Sequence, residues 1–431
     1  MRFRFIHAAD LHLDTPFEGL AQVSSEAAAL LRDASLKAFD AVVGLALKCE
    51  VTFVLLAGDL YDGEQRGVRA QLRFLEGVER LAGHGIRTFV VHGNHDPVGG
   101  WSAVRHWPGE VTIFGSEEVV GIPVEIAGRC AATVFGLSYG RRDVTENLAL
   151  RFPEAVKRSP GAGLKIGLLH CSVGDQPDHS PYSPCSLADL SRADIDYWAL
   201  GHIHRYAILH KGGPWVVYPG NTQGRSPKPA EAGAKGVAVV EVEGAEVRSL
   251  EFVPIDLVRF LDVRLDVTSL GEVTDLGGLR SALLRKAVEL RDQNGGRALL
   301  LRTTLEGRGP LHHDLAPAGA TTDLLHELQD AVSDADPPVW WEGVRDRTRP
   351  DIDLDRVRAR DDFASNLLTL AEAAADDPIR REELIRLLTP TAPADLVRRC
   401  GTPSLDDVPR LLEEASLLAL EALEKEASSC A

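Results

Sequence analysis

No stretch of this sequence holds the roughly eighteen consecutive apolar residues that a membrane-spanning helix needs, so no membrane partner is expected. The chain does not open on a basic segment, an apolar core and a small-residue cleavage site. It enters a strand-like run at once, which predicts a protein that is not exported. Cysteine is scarce. Cys49, Cys130, Cys171, Cys185, Cys400 and Cys430 lie scattered with no CxxC pair, which fits a reduced, cytoplasmic protein. Glycine-rich nucleotide loops are missing at the strand–helix junctions, which disfavours a nucleotide-cofactor enzyme. Positive charge is also short. Lys and Arg number 47 against 64 Asp and Glu, a formal net charge of −17. That balance argues against indiscriminate nucleic-acid binding. It leaves room for a nuclease, because bound metal ions and a local basic patch can supply the positive field.

What is present is a series of apolar runs, each ending in a residue that binds metals. Residues 53–57 (FVLLA) lead to Gly58-Asp59, with Leu60, Tyr61 and Asp62 following. Upstream, residues 3–9 lead to Asp10-Leu11-His12. Downstream, residues 88–91 lead to His92-Gly93-Asn94-His95-Asp96. Later, residues 166–169 end at His170, and residues 197–200 end at Gly201-His202-Ile203-His204. Short apolar runs bounded by turn residues read as buried strands, and open α/β sheets place ligands at the carboxyl ends of strands. One Gly-Asp after a strand is usually a turn, and one His at a strand end is usually structural. Five such endings in this order are not explained that way. Carboxylate, imidazole and amide oxygen together suit a borderline-hard divalent ion, with Mn²⁺ or Fe²⁺ first and Zn²⁺ as an alternative. Two ions about 3.5–4 Å apart can share a carboxylate and activate water for in-line attack on phosphorus. Asp59 is the natural bridge.

The set DLH (10–12), GDLYD (58–62), GNHD (93–96), LLH (168–170) and GHIH (201–204) resembles the calcineurin-like metallophosphoesterases. The opening FIHAADLHLDTPF and the phrase YPGNTQGR (218–225) narrow the resemblance to the DNA-repair exonuclease branch, SbcD-like and nearest to bacterial YhaO-type proteins. It covers residues 1–255 strongly and the rest weakly. The resemblance implies that one metal is held by Asp10, His12, Asp59 and His204, and the other by Asp59, Asn94, His170 and His202. It implies that His95 contacts the scissile phosphate or protonates the leaving oxygen, with Asp96 orienting His95. Some relatives carry His where this chain has Asp62, which leaves exonuclease polarity open. The family further implies DNA as substrate, an SMC-like coiled-coil ATPase partner of the SbcC or YhaN kind, and pairing as a homodimer.

The remaining segments fit around this frame. Residues 24–49 and 64–84 have helical periodicity and read as crossover helices in a βαβαβ unit. Residues 111–139 alternate as strands ending near Arg141-Arg142, and Arg141 is a candidate phosphate contact. Trp101 and Trp107 follow the GNHD turn and read as loop anchors in the core, with stacking on a base as the alternative. His179 falls in a loop after His170 and is a candidate for reaching substrate. Residues 215–219, 236–242 and 247–255 are expected to close a second sheet. The segment between them carries Arg225, Lys228 and Lys235 and reads as a substrate-facing loop, with Arg225 and Asp62 as candidate substrate contacts.

The fold class predicted is α/β: two face-packed mixed β-sheets flanked by helices, then a small α/β cap and a helical C-terminal region. The domains expected are 1–255 (metallophosphoesterase), 256–348 (cap) and 349–431 (linker and helices, an ATPase-docking segment). Within the cap, Trp340 and Trp341 alternate on a strand, so at least one is expected to be buried. His312 and His313 read as a Gly/Pro loop facing solvent. The function expected is a divalent-metal-dependent phosphodiesterase, a DNA exonuclease or endonuclease subunit. The alternatives are a phosphoesterase acting on small molecules or phosphoproteins, and a metal-stabilised scaffold without activity.

Overall fold

The computed structural model describes residues 1–13, 15, 30–63, 67–158, 163–174, 181–332, 335–388 and 404–429. The first turn expected of each crossover helix (24–29 and 64–66), His179, Cys400 and Cys430 lie outside these residues. Two compact units are present. One is Met1–Val263 with Leu283–Thr304 and Thr322–Arg345, and the other is Arg264–Ala282 with Leu305–Thr321 and Asp346–Ala431.

The first unit is built on two six-stranded sheets. In chain order the strands are β1 (Arg2–Ala8), β2 (Phe53–Ala57), β3 (Arg87–Val91), β4 (Val111–Ile113), β5 (Val120–Ile126), β6 (Arg129–Leu137), β7 (Leu164–His170), β8 (Tyr197–Gly201), β9 (Ala207–His210), β10 (Trp215–Tyr218), β11 (Gly236–Glu243) and β12 (Glu246–Pro254). One sheet runs β12-β11-β1-β2-β3-β4 and the other β5-β6-β7-β8-β10-β9. Strands β1 to β4 are mutually parallel, as are β6, β7, β8 and β10.

The apolar runs explain the layering. β2 is buried along its whole length, as a central strand covered on both faces must be. Phe53, Leu55 and Ala57 face the core between the sheets. Val54 and Leu56 face the other way, among residues of the helices Ala34–Lys48 and Val68–Ala82. The second sheet mirrors this. Tyr197 and Ala199 point between the sheets, and Trp198 and Leu200 point outward under helix Phe152–Arg158. Phe5 stacks on Phe53 at 5.0 Å and meets Tyr197 of the opposite sheet edge-on at 5.2 Å. Each such buried ring stabilises the sandwich by roughly 1.5–3 kcal/mol. The two sheets touch beside the metal-ligand motifs. His7 Nε2 donates to Leu200 O (3.1 Å), and a Cβ on Gly201 would collide with the carbonyl of Ala57.

One expectation is corrected. Residues 236–243 and 246–254 do not close the second sheet. They form a hairpin, β11–β12, added antiparallel to β1 at the edge of the first. Alternation marks them as strands, but their partner is set by the path of the chain. Residues 215–218 do join the second sheet.

Strands β13 (Val258–Asp266), β14 (Ala298–Arg308) and β15 (Val339–Arg349) form a third sheet, with helices Leu276–Gln293 and Ala320–Ala331 between them in sequence. Trp341 is buried and its indole N–H donates to Thr303 (3.1 Å), while Trp340 is half-buried. His312 and His313 sit on a short helix, Leu311–Leu315, rather than in a loop. His312 Nδ1 lies 3.2 Å from Thr348 Oγ1, and His313 is exposed. In the second unit, helices Phe363–Asp376 and Val408–Ser429 pack through Leu368 and Leu420, and Glu421 pairs with Arg308 at 3.1 Å. None of the described helices is long and apolar enough to cross a membrane.

Candidate active site

The carboxyl ends of β1, β2 and β3 from one sheet meet those of β7 and β8 from the other, and each delivers its motif to one place. After β1 the chain runs beside the turn after β2. The amides of Asp10, His12 and Leu13 donate to the carbonyls of Gly58, Asp59 and Leu60 at 2.9–3.0 Å. Asp10 (φ 51°), His12 (φ 42°), Asp59 (φ 50°) and His202 (φ 101°) all adopt left-handed backbone. Non-glycine residues there are strained, and such strain gathers at functional sites.

The expected ligands are brought together. Asp10, His12 and His204 form one group with metal-ligand spacing, and Asp10, Asp59 and His170 form another. His170 Nε2 lies 3.4 Å from Asp59 Oδ2 and 3.0 Å from Asn94 Oδ1. Its Nδ1 is fixed 2.9 Å from the Ala57 carbonyl. His12 Nε2 faces His204 Nε2 at 3.2 Å and Asp59 Oδ2 at 3.9 Å. The His202 amide donates to both oxygens of Asp10 (3.1 Å), and its ring centroid is 5.3 Å from that of His170. Asp10, His12, Asp59, Asn94, His170 and His202 are all buried.

The electrostatics fit a cation. Burial, and then the neighbouring charge of Asp59, push the Asp10 carboxyl well above its ordinary range. Burial, then the charge of Arg225, push His12 well below its own. Two buried carboxylates side by side are costly unless a positive charge joins them. Among the described residues, the buried His12 Nδ1 atom has no hydrogen-bond partner. Imidazole nitrogens facing one another, flanked by carboxylate and amide oxygens, are the donor set of a divalent metal centre.

His95 sits at the mouth of this cluster, 28% exposed, with its amide donating to Asp59 Oδ1 (2.9 Å). Its orientation differs from expectation. Asp96 is occupied elsewhere: its carboxylate accepts the amides of Gly93 (2.9 Å) and Leu60 (3.0 Å) and lies 3.0 Å from His92 Nδ1. It braces the turn. The ring of His95 is held by Asp62, whose Oδ1 lies 2.5 Å from His95 Nδ1. Burial opposes a charge on His95, but the hydrogen bond to Asp62 and the charges of Asp59 and Asp62 outweigh it and raise its pKa. Asp62, expected as a substrate contact, is instead the partner of His95. Its own pKa is lowered because His95 and Arg225 outweigh the effect of burial.

Arg225 is half-buried, with Nη1 3.2 Å from Asp62 Oδ2, so it does face the site. Arg141 does not join it. It is exposed beyond β6, and among the described residues no hydrogen bond or ion pair links it to the cluster. Lys235 is not substrate-facing. It is buried, burial lowers its pKa to about 8, and its ammonium donates to the carbonyls of His204 and Ala230 (both 2.7 Å). Sequence reasoning missed Glu231, a buried carboxylate whose Oε1 lies 2.6 Å from His204 Nδ1. Burial opposes its charge, yet His204, Lys235 and Arg225 around it hold it well below the ordinary carboxylate range. An acid in a Gly/Pro-rich loop gives no signal of such a role. Cys171 fills space, buried with its Sγ 3.8 Å from that of Cys185.

Clustered carboxylates and imidazoles at the strand ends of two face-packed sheets, with a histidine at the open side, fit a metal-dependent phosphoester hydrolase. Residues 3–206 match the model of the calcineurin-like phosphoesterases, and residues 260–349 match that of the middle domain of metallophosphoesterase YhaO. The chain is 36% identical over 355 residues to the uncharacterized metallophosphoesterase YhaO of Bacillus subtilis, covering 81% of this chain and 83% of that one. It is 27% identical over 276 residues to a subunit of the nuclease SbcCD of Bacillus subtilis (56% and 67%). It is 24% identical over 279 residues to the DNA double-strand break repair protein Mre11 of Methanosarcina mazei (61% and 40%), so it spans under half of that relative. The chain belongs to the calcineurin-like metallophosphoesterase family. It is a metal-binding hydrolase of phosphoesters.

Proposed function

We propose that this metallophosphoesterase cleaves phosphodiester bonds in DNA, as the exonuclease or endonuclease subunit of a cytoplasmic repair complex with an SMC-like coiled-coil ATPase of the SbcC or YhaN kind. Pairing as a homodimer and a three-part division at residues 255 and 348 belong to the same proposal. Asp10, His12, Asp59 and His204 would hold one ion, and Asp59, Asn94, His170 and His202 the other, with Mn²⁺ the expected metal. When bound, the ions would supply Lewis-acid stabilisation of charge developing on the phosphoryl oxygens and a nucleophile active at neutral pH.

The observation that carries the reading is His95. It stands half-open over the buried ligand cluster, held by Asp62 with the ring angle fixed. Cleavage of a diester breaks one P–O bond and releases an alkoxide, and a positioned imidazolium can give that oxygen a proton from Nε2 while Asp62 keeps Nδ1. Arg225, beside Asp62, offers a guanidinium to the phosphate. The likeness to proteins named as a nuclease component and as double-strand break repair proteins supports DNA as the diester.

The test is release of nucleotides from end-labelled linear duplex and single-stranded DNA in Mn²⁺, wild type beside His95→Ala. Release by wild type alone supports the proposal, and the labelled end gives polarity. Hydrolysis of a chromogenic diester with none of DNA, even with the ATPase added, would replace DNA by a small-molecule or phosphoprotein substrate.

A further inference from the structure

The loop after β10 does more than connect strands. Both oxygens of Glu231 are engaged. Oε1 lies 2.6 Å from His204 Nδ1, while Oε2 accepts the side-chain amide of Asn221 (2.7 Å) and the backbone N–H of Arg225 (3.2 Å). At the far end of the loop, Lys235 donates to the His204 carbonyl (2.7 Å). The ring and the main chain of His204 are thus tied to one loop. The opposite ring nitrogen, Nε2, faces His12 Nε2 at 3.2 Å, and His204 belongs with Asp10 and His12 to a ligand-spaced group.

A neutral imidazole carries one N–H, and its partner decides which nitrogen holds it. A carboxylate only accepts. Opposite Glu231 the proton of His204 therefore sits on Nδ1, and Nε2 keeps its lone pair. We infer that Glu231 is a positioning residue of the metal centre: it fixes His204 in the tautomer and ring orientation that a divalent ion beside Asp10 and His12 requires. This rests on the two-metal reading above. Arg225 extends the brace, because its amide is on Glu231 while its guanidinium is on Asp62, the residue that holds His95. One residue thus joins the support of a metal ligand, through its main chain, to the support of the acid, through its side chain.

The test is calorimetric titration of Mn²⁺ alone into the metal-free full-length chain, for wild type, Glu231→Ala, Glu231→Gln and His204→Ala. Thermal melting without metal serves as the folding check. Wild type should bind two equivalents. Glu231→Ala should keep one and bind the second about 10–100-fold more weakly. Glu231→Gln should fall between, since its carbonyl can accept from His204 but its NH₂ then faces the donors of Asn221 and Arg225. His204→Ala should weaken the same equivalent. In diester hydrolysis, excess Mn²⁺ should restore turnover to the Glu231 variants. Two equivalents at wild-type affinity in both Glu231 variants would overturn the inference. So would unfolding of both, which would make Glu231 a folding residue. A folded wild type that fails to bind two equivalents would remove the two-metal reading itself, and this inference with it.

Discussion

Adding one methyl group at Gly93 should disable the site without changing the identity of any ligand. Gly93 stands between His92 and Asn94, and its amide donates to Asp96 Oδ1 (2.9 Å). It is not among the residues with left-handed backbone, so alanine meets no conformational penalty there. The obstacle is space. A Cβ would press on Asp59 Oδ1 and lie 2.9 Å from both Cδ2 and Cε1 of His170, where ordinary contact begins near 3.4 Å. His170 must retreat by about half an ångström and Asp59 by more, in a close-packed interior that yields little. A misplacement of about 1 Å at a reacting centre can cost on the order of 100-fold in rate. Overpacking of this kind destabilises by roughly 1–3 kcal/mol. The assay is hydrolysis of bis(4-nitrophenyl) phosphate in saturating Mn²⁺, with Mn²⁺ affinity and urea unfolding measured beside it. Gly99→Ala, a few residues on with nothing within 4 Å of the added carbon, is the control and should match wild type. Wild-type turnover and Mn²⁺ affinity in Gly93→Ala would refute the account of a cluster closed by contact between Gly93, Asp59 and His170.

Asp62→Asn and Asp96→Asn should fail differently. The first should cost part of the roughly 10²–10⁴-fold that a positioned general acid contributes, with stability nearly kept. The second turns one carboxylate oxygen into an NH₂ that faces a buried amide, so either Gly93 or Leu60 loses its acceptor, which costs about 1–3 kcal/mol. Greater loss of turnover in a stable Asp96→Asn than in Asp62→Asn would restore the role first expected of Asp96. His7 makes a pH prediction. Its Nδ1 lies 3.0 Å from the Tyr197 hydroxyl, its Nε2 donates to Leu200 O, and burial lowers its pKa to about 3. The unfolded chain takes up that proton near pH 6.5 and the folded chain does not. Stability is therefore full above about pH 6.5 and falls towards pH 3, by up to about 1.4 kcal/mol per unit. Urea unfolding of metal-free wild type and His7→Gln at pH 7 and pH 5 should show wild type losing ground at the lower pH. Parallel losses in the two would sink the assignment.

Much of the site was legible because its ligands belong to their strands. A buried parallel strand needs an unbroken apolar run, and the ligand lies at the strand's last residue or within three residues after it. Asp10, Asp59, Asn94, His170 and His204 could therefore be found from local pattern, and the family motif then grouped them. The layers of the first unit were legible for the same reason, since Val54 and Leu56 alternate with Phe53 and Leu55 between two apolar faces.

What the pattern did not carry is partnership between distant segments. Strand alternation has a period of two and says which face is buried, not which strand lies alongside. So β11 and β12 were recognised as strands and assigned to the wrong sheet. The same limit governs the polar pairs. Asp96 adjoins His95 in sequence, and the family resemblance implied that it orients His95. Yet a tight turn aims successive side chains apart, so Asp96 folds back onto the amides of its own turn and the residue facing His95 comes from the turn after β2. Glu231 is the sharper case, because it reaches His204 only once β10 has paired beside β8 and the chain has looped back over the strand ends. The ligands of this centre are therefore written in local sequence, while the groups that set their protonation and angle are written in topology. The first are readable from a single chain. The second become readable only when the sheet order is known, and they are the residues through which one metallophosphoesterase can differ from another carrying the same motifs.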